Sequence, residues 1–410
     1  MIAPGHPGGE LHRVAPPPVL LPAKPPGGGM RIGSLDGVRA LLALWVVFGH
    51  LAGTVGARVP LVDNPAVAVD LFMVLSGFFI AATYGSLAAQ HPPAVAMRYF
   101  WVRRVMRIWP VYAVLLTLVW VFIVPLHELR LDQLRAFAST GTTLPAADPA
   151  PITLANALMH YTMLFGVWPS FATATALPDW SLSLEFQFYL LFPLLALALR
   201  QRPLLLCFAA AALAFIAPPL LGHYLDPGRF AHFRQPAFLP YRLHFFLVGA
   251  LAFAMFRRQR DAADAFWTVE LLAIVLCLSV MGVQASMGIF GVLYLMARPH
   301  SQAARLLSHP TMRWLGRISF SIYLVHAPLM RLVVGMLAHE PWFVALPPIE
   351  RYAVALACLL PLVLAAAQLL YRLVELPGID LAHRWTSGPS PAPKADSDGH
   401  FTIRENATRT

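Results

Sequence analysis

The sequence predicts an all-α fold: a polytopic bundle of about ten transmembrane helices with both termini on the cytoplasmic side. Three observations carry this expectation. Hydrophobic residues make up 58% of the chain and charged residues only 12%, whereas a soluble domain carries about 25% charged residues. Apolar runs follow one another from Leu35 to Leu376 without a long polar break. Arginines cluster after alternate runs, as they do in loops held on the inner side of a membrane. The chain therefore reads as one membrane domain, 34–380, between two disordered cytoplasmic tails, 1–33 and 381–410.

Taken in order, residues 1–33 are rich in Pro and Gly and lack the apolar core of a cleavable signal peptide. Candidate spans follow at 38–57, 66–84, 108–126, 183–199, 204–221, 237–256, 266–281, 282–297, 319–338 and 352–372. Each approaches the roughly 20 residues needed to cross the hydrocarbon core. The seventh and eighth are short and also read as one tilted helix of about 30 residues. Charge placement decides between these. With the N-terminus inside, the inner loops hold Arg98, Arg103, Arg104 and Arg107, then Arg200 and Arg202, then Arg257, Arg258 and Arg260, then Arg298, Arg305, Arg313 and Arg317. The outer connections hold fewer: Arg58, Arg130, Arg135, Arg229, Arg234 and Arg242. Merging spans seven and eight would move the last cluster outside, so ten spans are expected.

The longest outer connection, 127–182, carries apolar residues at helical spacing from Asn156 to Trp168, which reads as an interfacial or re-entrant helix. Trp168 and Trp180 suit a membrane boundary. No internal repeat is evident, which weighs against an inverted-repeat transporter. Residues 381–410 are polar, and the sequon at Asn406 falls on a tail expected inside, where it carries no meaning.

The net charge of +10 comes almost wholly from Arg, the only lysines being Lys24 and Lys394. Its placement in inner loops points to a bilayer and away from nucleic acid. Cys207, Cys277 and Cys358 each stand alone in an apolar run. They form neither a disulfide framework nor a metal-ligand pattern, so no metal is expected. The expected location is the inner (cytoplasmic) membrane of a bacterium, as a multi-pass protein.

Ionisable side chains at membrane depth are costly and mark functional sites. In the first span Asp36, Arg39 and His50 fall on or near one helical face, with Arg39 and His50 about three turns, roughly 16 Å, apart. A lone histidine there equally serves to brace a bundle; the acid and guanidinium on the same face favour catalysis. In the second span Ser76-Gly77-Phe78 offers a small surface where a helix or a ligand can come close. Arg103 or Arg104 with Arg107 makes a paired face suited either to phosphates or to lipid headgroups. Glu185, one turn inside the fourth span, can orient a hydroxylated acceptor or partner Arg39 or His50. His326, in the ninth span, reads as a structural or supporting group.

In this order the chain resembles the acyltransferase-3 family of integral membrane acyltransferases, which modify carbohydrates and related hydroxyl groups. The matching elements are Leu35-Asp36-Gly37-Val38-Arg39 with His50; Phe72 to Phe78; Arg104-Val105-Met106-Arg107; Trp180 to Tyr189; and Leu315 to His326. The departures are Val38 for the usual Leu, Phe79 for Leu and Trp109 for Tyr, all apolar or aromatic exchanges. The resemblance implies about ten spans, an acyl-CoA donor, a key role for Arg39 and His50, and functional roles for the Ser76-Gly77-Phe78 and Arg104/Arg107 elements; Ser76, Gly77, Phe78, Arg103, Arg104 and Arg107 are the expected donor-binding set. No hydrolase-like domain follows the membrane part, so the membrane domain is expected to complete the transfer alone.

The expected reaction moves an acyl group, acetyl by default, from acyl-CoA to a hydroxyl of a cell-surface glycan or glycosylated metabolite. His50 acts as general base or, alternatively, as an acylated nucleophile. Asp36 orients Arg39, and the arginines hold the CoA phosphates or the developing negative charge. Two other classes compete: a polytopic transporter or flippase without covalent chemistry, whose relays also use buried His, Arg and Glu, and a non-catalytic subunit, which the Arg39/His50 pair disfavours.

Overall fold

The structure is a computed structural model that describes residues 33–137, 152–168, 171, 175–224, 237–261, 283–298 and 300–386. Among them every regular element is helical. Six helices are long and apolar enough to cross a membrane. They are α1 (Gly33–Val55), α2 (Pro65–Ala88), α3 (Pro93–Val121), α6 (Trp180–Gln201), and the two continuous stretches Pro310–Leu337 and Pro348–Thr386. In its described residues the protein is thus an all-helical, multi-pass membrane protein. Between the long helices lie α4 (Ile123–Phe137), α5 (Leu154–Tyr161), α7 (Pro203–Tyr224), α8 (Leu243–Asp261), α9 (Val283–Ala297) and α10 (Gln302–Leu307).

Ten spans were expected, and among the described residues six helices meet the requirements of length and hydropathy. The shorter apolar helices Pro203–Ala217 and Leu243–Phe256 correspond to the fifth and sixth expected spans. The expected span at 266–281 lies outside the described residues, as do the tail residues 1–32 and 387–410. Two boundaries differ for a physical reason. The third span was expected from residue 108, yet α3 starts at Pro93, so the arginine-rich segment is the first half of a long helix and not a loop. The last helix runs on to Thr386, into the stretch expected as tail. A hydropathy window stops at charged residues, but intrahelical hydrogen bonds continue wherever the charges find partners.

Proline opens many of these helices. Pro65, Pro93, Pro203, Pro310, Pro348 and, in the short α13 (Pro341–Val344), Pro341 each stand at the first helical position, where the missing N–H costs nothing and the fixed φ suits the helix. The outer surface is apolar: Leu194 is 69% exposed and Phe215 77%. Such faces are what lipid tails contact.

Two close approaches set the bundle around α1 and α2. A Cβ on Gly77 would lie 2.0 Å from the Phe246 carbonyl oxygen, and one on Gly249 would lie 1.8 Å from that of Val74. Helices α2 and α8 therefore touch backbone to backbone, as small residues allow in membranes. In the same way a Cβ on Gly37 would meet the Leu307 carbonyl at 2.1 Å, and one on Gly316 that of Asp36 at 2.1 Å. This pins the start of α1 to α10 and α11 (Pro310–Arg317). The following helix, α12 (Ser319–Leu337), then runs parallel to α1, with Thr54 Oγ1 donating to Met330 Sδ at 3.3 Å.

Candidate active site

The parallel run of α1 and α12 brings two histidines together. His50 Nδ1 lies 2.9 Å from His326 Nε2, with ring centroids 5.2 Å apart and planes 12° apart. His326 is fully buried, whereas His50 keeps partial exposure. On its other side His326 Nδ1 lies 2.6 Å from the carbonyl oxygen of Tyr323. The Tyr323 hydroxyl meets Ser181 Oγ at 2.7 Å, which ties α12 to the first turn of α6.

One turn further along α6, Glu185 Oε1 accepts from Ser76 Oγ at 3.0 Å and from the Tyr189 hydroxyl at 2.6 Å. The two sequence motifs that hold Ser76 and Glu185 thus meet in space. Gly77 and Phe78 turn the other way: Gly77 receives the Phe246 backbone, and Phe78 packs edge-on to Phe79, Phe253 and Phe256. Apart from Phe79 in the same helix, their described contacts are with a neighbouring helix.

At the opposite end of α1 Arg39 reaches Asp36 at 3.9 Å, a long ion pair on one face. Arg39 also feels Arg107, Glu375 and Glu185. Arg107 has no hydrogen-bond partner among the described residues, so its guanidinium donors remain available to a ligand. Its neighbours on α3 are committed elsewhere. Arg104 donates through Nη2 to the Phe79 carbonyl at 2.8 Å and to Thr83 Oγ1, and lies over the Phe100 and Tyr189 rings at 5.8 and 5.7 Å. Arg103 Nε donates to Thr386 Oγ1 at 2.7 Å.

Glu375, which the motifs did not single out, belongs to this end. It is 1% exposed and accepts from Ser321 Oγ at 2.9 Å. Arg107 and Arg39 are the charges that act on it. A π-helical turn, Tyr371–Glu375, joins α14 (Pro348–Leu370) to α15 (Leu376–Thr386) and delivers it. Pro377 has no N–H for the preceding turn, which gives the widening a cause. Such turns often mark functional sites. A carboxylate ahead of a proline in an apolar helix was the only sequence signal for it.

A second polar cluster lies at the Trp180 end of α6. Asp179 Oδ2 accepts from the Tyr112 hydroxyl at 3.2 Å and from Thr175 Oγ1 at 2.9 Å. His160 Nε2 stands 4.0 Å from the same oxygen. His160 stacks on Phe165 at 4.4 Å and contacts the Asn156 carbonyl at 3.0 Å through Nδ1. Of the segment expected to form a helix from Asn156 to Trp168, the structure forms α5 and then a 3₁₀ turn, Phe165–Val167. Burial holds the His160 imidazole down at about 4.

A helical membrane bundle that pairs two histidines and sets a guanidinium and carboxylates elsewhere along the same helices carries ionisable groups of the kind that mark functional sites. The family comparison agrees: residues 32–372 match the family described as Acyltransferase domain, and the chain belongs to that family. It is 25% identical over 375 residues to the peptidoglycan O-acetyltransferase OatA of Listeria monocytogenes, covering 84% of this chain and 55% of that protein. It is 31% identical over 205 residues to the acyltransferase MdmB of Streptomyces mycarofaciens, covering 47% of each. The chain thus spans about half the length of these relatives. No solved structure matches it.

Proposed function

We propose that this protein is a membrane O-acyltransferase that moves an acyl group, acetyl by default, from an acyl-CoA thioester to a hydroxyl of a cell-surface glycan. The single observation that carries the reading is the His50–His326 contact of 2.9 Å at the helix face that also presents Arg39, in a chain of this family. The relative that acts on peptidoglycan supports a glycan acceptor. The inner membrane of a bacterium remains the proposed location.

His50, the partly exposed ring, is the general base. It takes the proton of the acceptor hydroxyl as that oxygen bonds to the thioester carbonyl carbon. The C–S bond then breaks, and the leaving thiolate takes the proton from His50 and departs as free thiol. A neutral imidazole suits this exchange near pH 7. Arg39 and Arg107 meet the negative charge of donor phosphates or of the developing oxyanion. Asp36 orients Arg39. Glu185, held by Ser76 and Tyr189, faces the acceptor hydroxyls. Arg103, Arg104, Gly77 and Phe78 serve the donor side indirectly, by fixing α3 and α2 through their own contacts.

The test uses the full-length protein in proteoliposomes with radiolabelled acetyl-CoA and an N-acetylglucosamine oligosaccharide. The expected result is labelled sugar and free CoA, with His50→Ala reducing transfer by about 10²–10⁴-fold. Full activity of that variant removes His50 from the reaction. Transport of the oligosaccharide without label or CoA release would instead favour a transporter.

A further inference from the structure

The two histidines and one peptide oxygen form a directed chain, and its direction has a chemical consequence. A carbonyl oxygen only accepts hydrogen bonds. The 2.6 Å contact of His326 Nδ1 with the Tyr323 carbonyl therefore places the proton of a neutral His326 on Nδ1. His326 Nε2 is then a bare lone pair. It faces His50 Nδ1 at 2.9 Å, so His50 Nδ1 must be the donor of that bond. A neutral His50 with its proton on Nδ1 has its lone pair on Nε2. Each ring's second nitrogen is thus assigned by the bond the first one makes.

We propose that His326 is a positioning residue that holds His50 in the Nδ1–H form and so directs Nε2 as the basic atom toward the acceptor hydroxyl. This rests on the reading of His50 as the base. His326 is 0% exposed and its Nε2 is occupied by His50, so it does not touch the reacting atoms. Its part resembles that of the acid that orients histidine in a serine hydrolase, but here the orienting group is uncharged. When Nε2 of His50 gains the acceptor's proton, the ring becomes an imidazolium. Its Nδ1–H bond to His326 then becomes charge-assisted and stronger. The stabilisation thus grows as the proton moves, which is what accelerates a reaction. A neutral partner does this without adding a second buried charge to the site.

The geometry also explains why the partner is a histidine. A side chain at 326 must donate to a carbonyl one turn back in its own helix and accept from a ring on the neighbouring helix, through two atoms on opposite sides of a rigid plane. Imidazole supplies both. Glutamine offers the same pair of functions on a flexible stem, and leucine fills a similar volume with neither.

The experiment combines a spectrum with kinetics. In the unmodified protein carrying ¹⁵N-histidine, the signals assigned to His50 by their loss in His50→Ala should show a protonated Nδ1 and an unprotonated Nε2. In His326→Leu the Nε2–H form should appear. With acetyl-CoA and the N-acetylglucosamine oligosaccharide, His326→Leu should lower kcat on the order of 10²-fold and leave both KM values within about twofold, because neither substrate touches His326. His326→Gln should recover at least about tenfold of that loss. An Nε2–H form of His50 in the unmodified protein overturns the proposal, and that measurement needs no folded variant. A folded His326→Leu protein with unchanged kcat overturns it as well. If His50→Ala is inactive while His326→Leu is fully active, only the positioning role fails. If His50→Ala itself is fully active, the base assignment fails first.

Discussion

At the scale of single residues the site is a set of charges whose partners differ in how far they are committed. Arg104 and Arg103 are held by a carbonyl and by hydroxyls, whereas Arg107 keeps its donors and Arg39 has only a 3.9 Å ion pair. Arg107→Ala should therefore raise the KM for acetyl-CoA, by about tenfold per lost charge-assisted phosphate contact. Arg104→Ala should instead lower the melting temperature, because the bound carbonyl of Phe79 and the Thr83 hydroxyl lose a buried partner, a loss of about 1–3 kcal/mol. Steady-state kinetics in proteoliposomes and thermal unfolding in detergent separate the two effects. A rise in KM for both variants alike would contradict the division. Ser321→Ala deprives buried Glu375 of one donor; thermal unfolding should record a loss of similar size.

At the scale of elements, the glycine contacts and the outer turn make separate predictions. Gly77→Val forces a side chain against the Phe246 carbonyl. It should destabilise the α2–α8 pair by about 1–3 kcal/mol or abolish insertion; thermal unfolding or the yield of folded protein reads this. The α5 turn should be sensitive to acid. Burial depresses the His160 imidazole from its ordinary 6.5 to about 4. An unfolded chain takes up that proton first, so the share of the turn's stability that His160 supplies is complete above about pH 6.5 and declines as pH falls toward 4. Hydrogen-exchange protection of residues 154–167, compared between the unmodified protein and His160→Gln across that range, should fall with pH more steeply in the unmodified protein. Elements of this kind were partly legible in the sequence. Hydropathy located the apolar stretches of α1, α2 and α6, since lipid imposes a length and an apolar face. It placed the start of α3 fifteen residues late, because Arg103, Arg104 and Arg107 interrupt the apolar run while the helix continues. The π turn was not legible at all, since it arises from the missing N–H of Pro377 and from the burial of Glu375 against α12.

At the scale of the whole molecule the same difference holds. The order of motifs pointed to the family, and Arg39, His50 and Glu185 stood out because charged groups in an apolar run are costly. Their neighbours did not, because contacts between helices distant in the chain leave no periodic mark. His326 was read as a supporting group, and its contact with His50, 276 positions away, came only from the parallel packing of α1 and α12. Ser76 and Glu185 likewise were named apart and are found hydrogen-bonded. The orientation in the membrane makes its own prediction. With the native cysteines replaced, Asp63→Cys in the α1–α2 connection should react with an impermeant maleimide in intact cells. Gln90→Cys, beyond α2, should react only after permeabilisation. The reverse pattern would invert the positive-inside assignment.

The last acceptor in the histidine chain is a main-chain oxygen. Every amino acid placed at 323 carries that atom, so mutation can strip the aromatic ring without deleting the anchor beneath the base. Tyr323→Phe should leave the His50 proton where it is and cost only the tether to Ser181. A catalytic orientation written into the peptide bond is inherited with the helix itself.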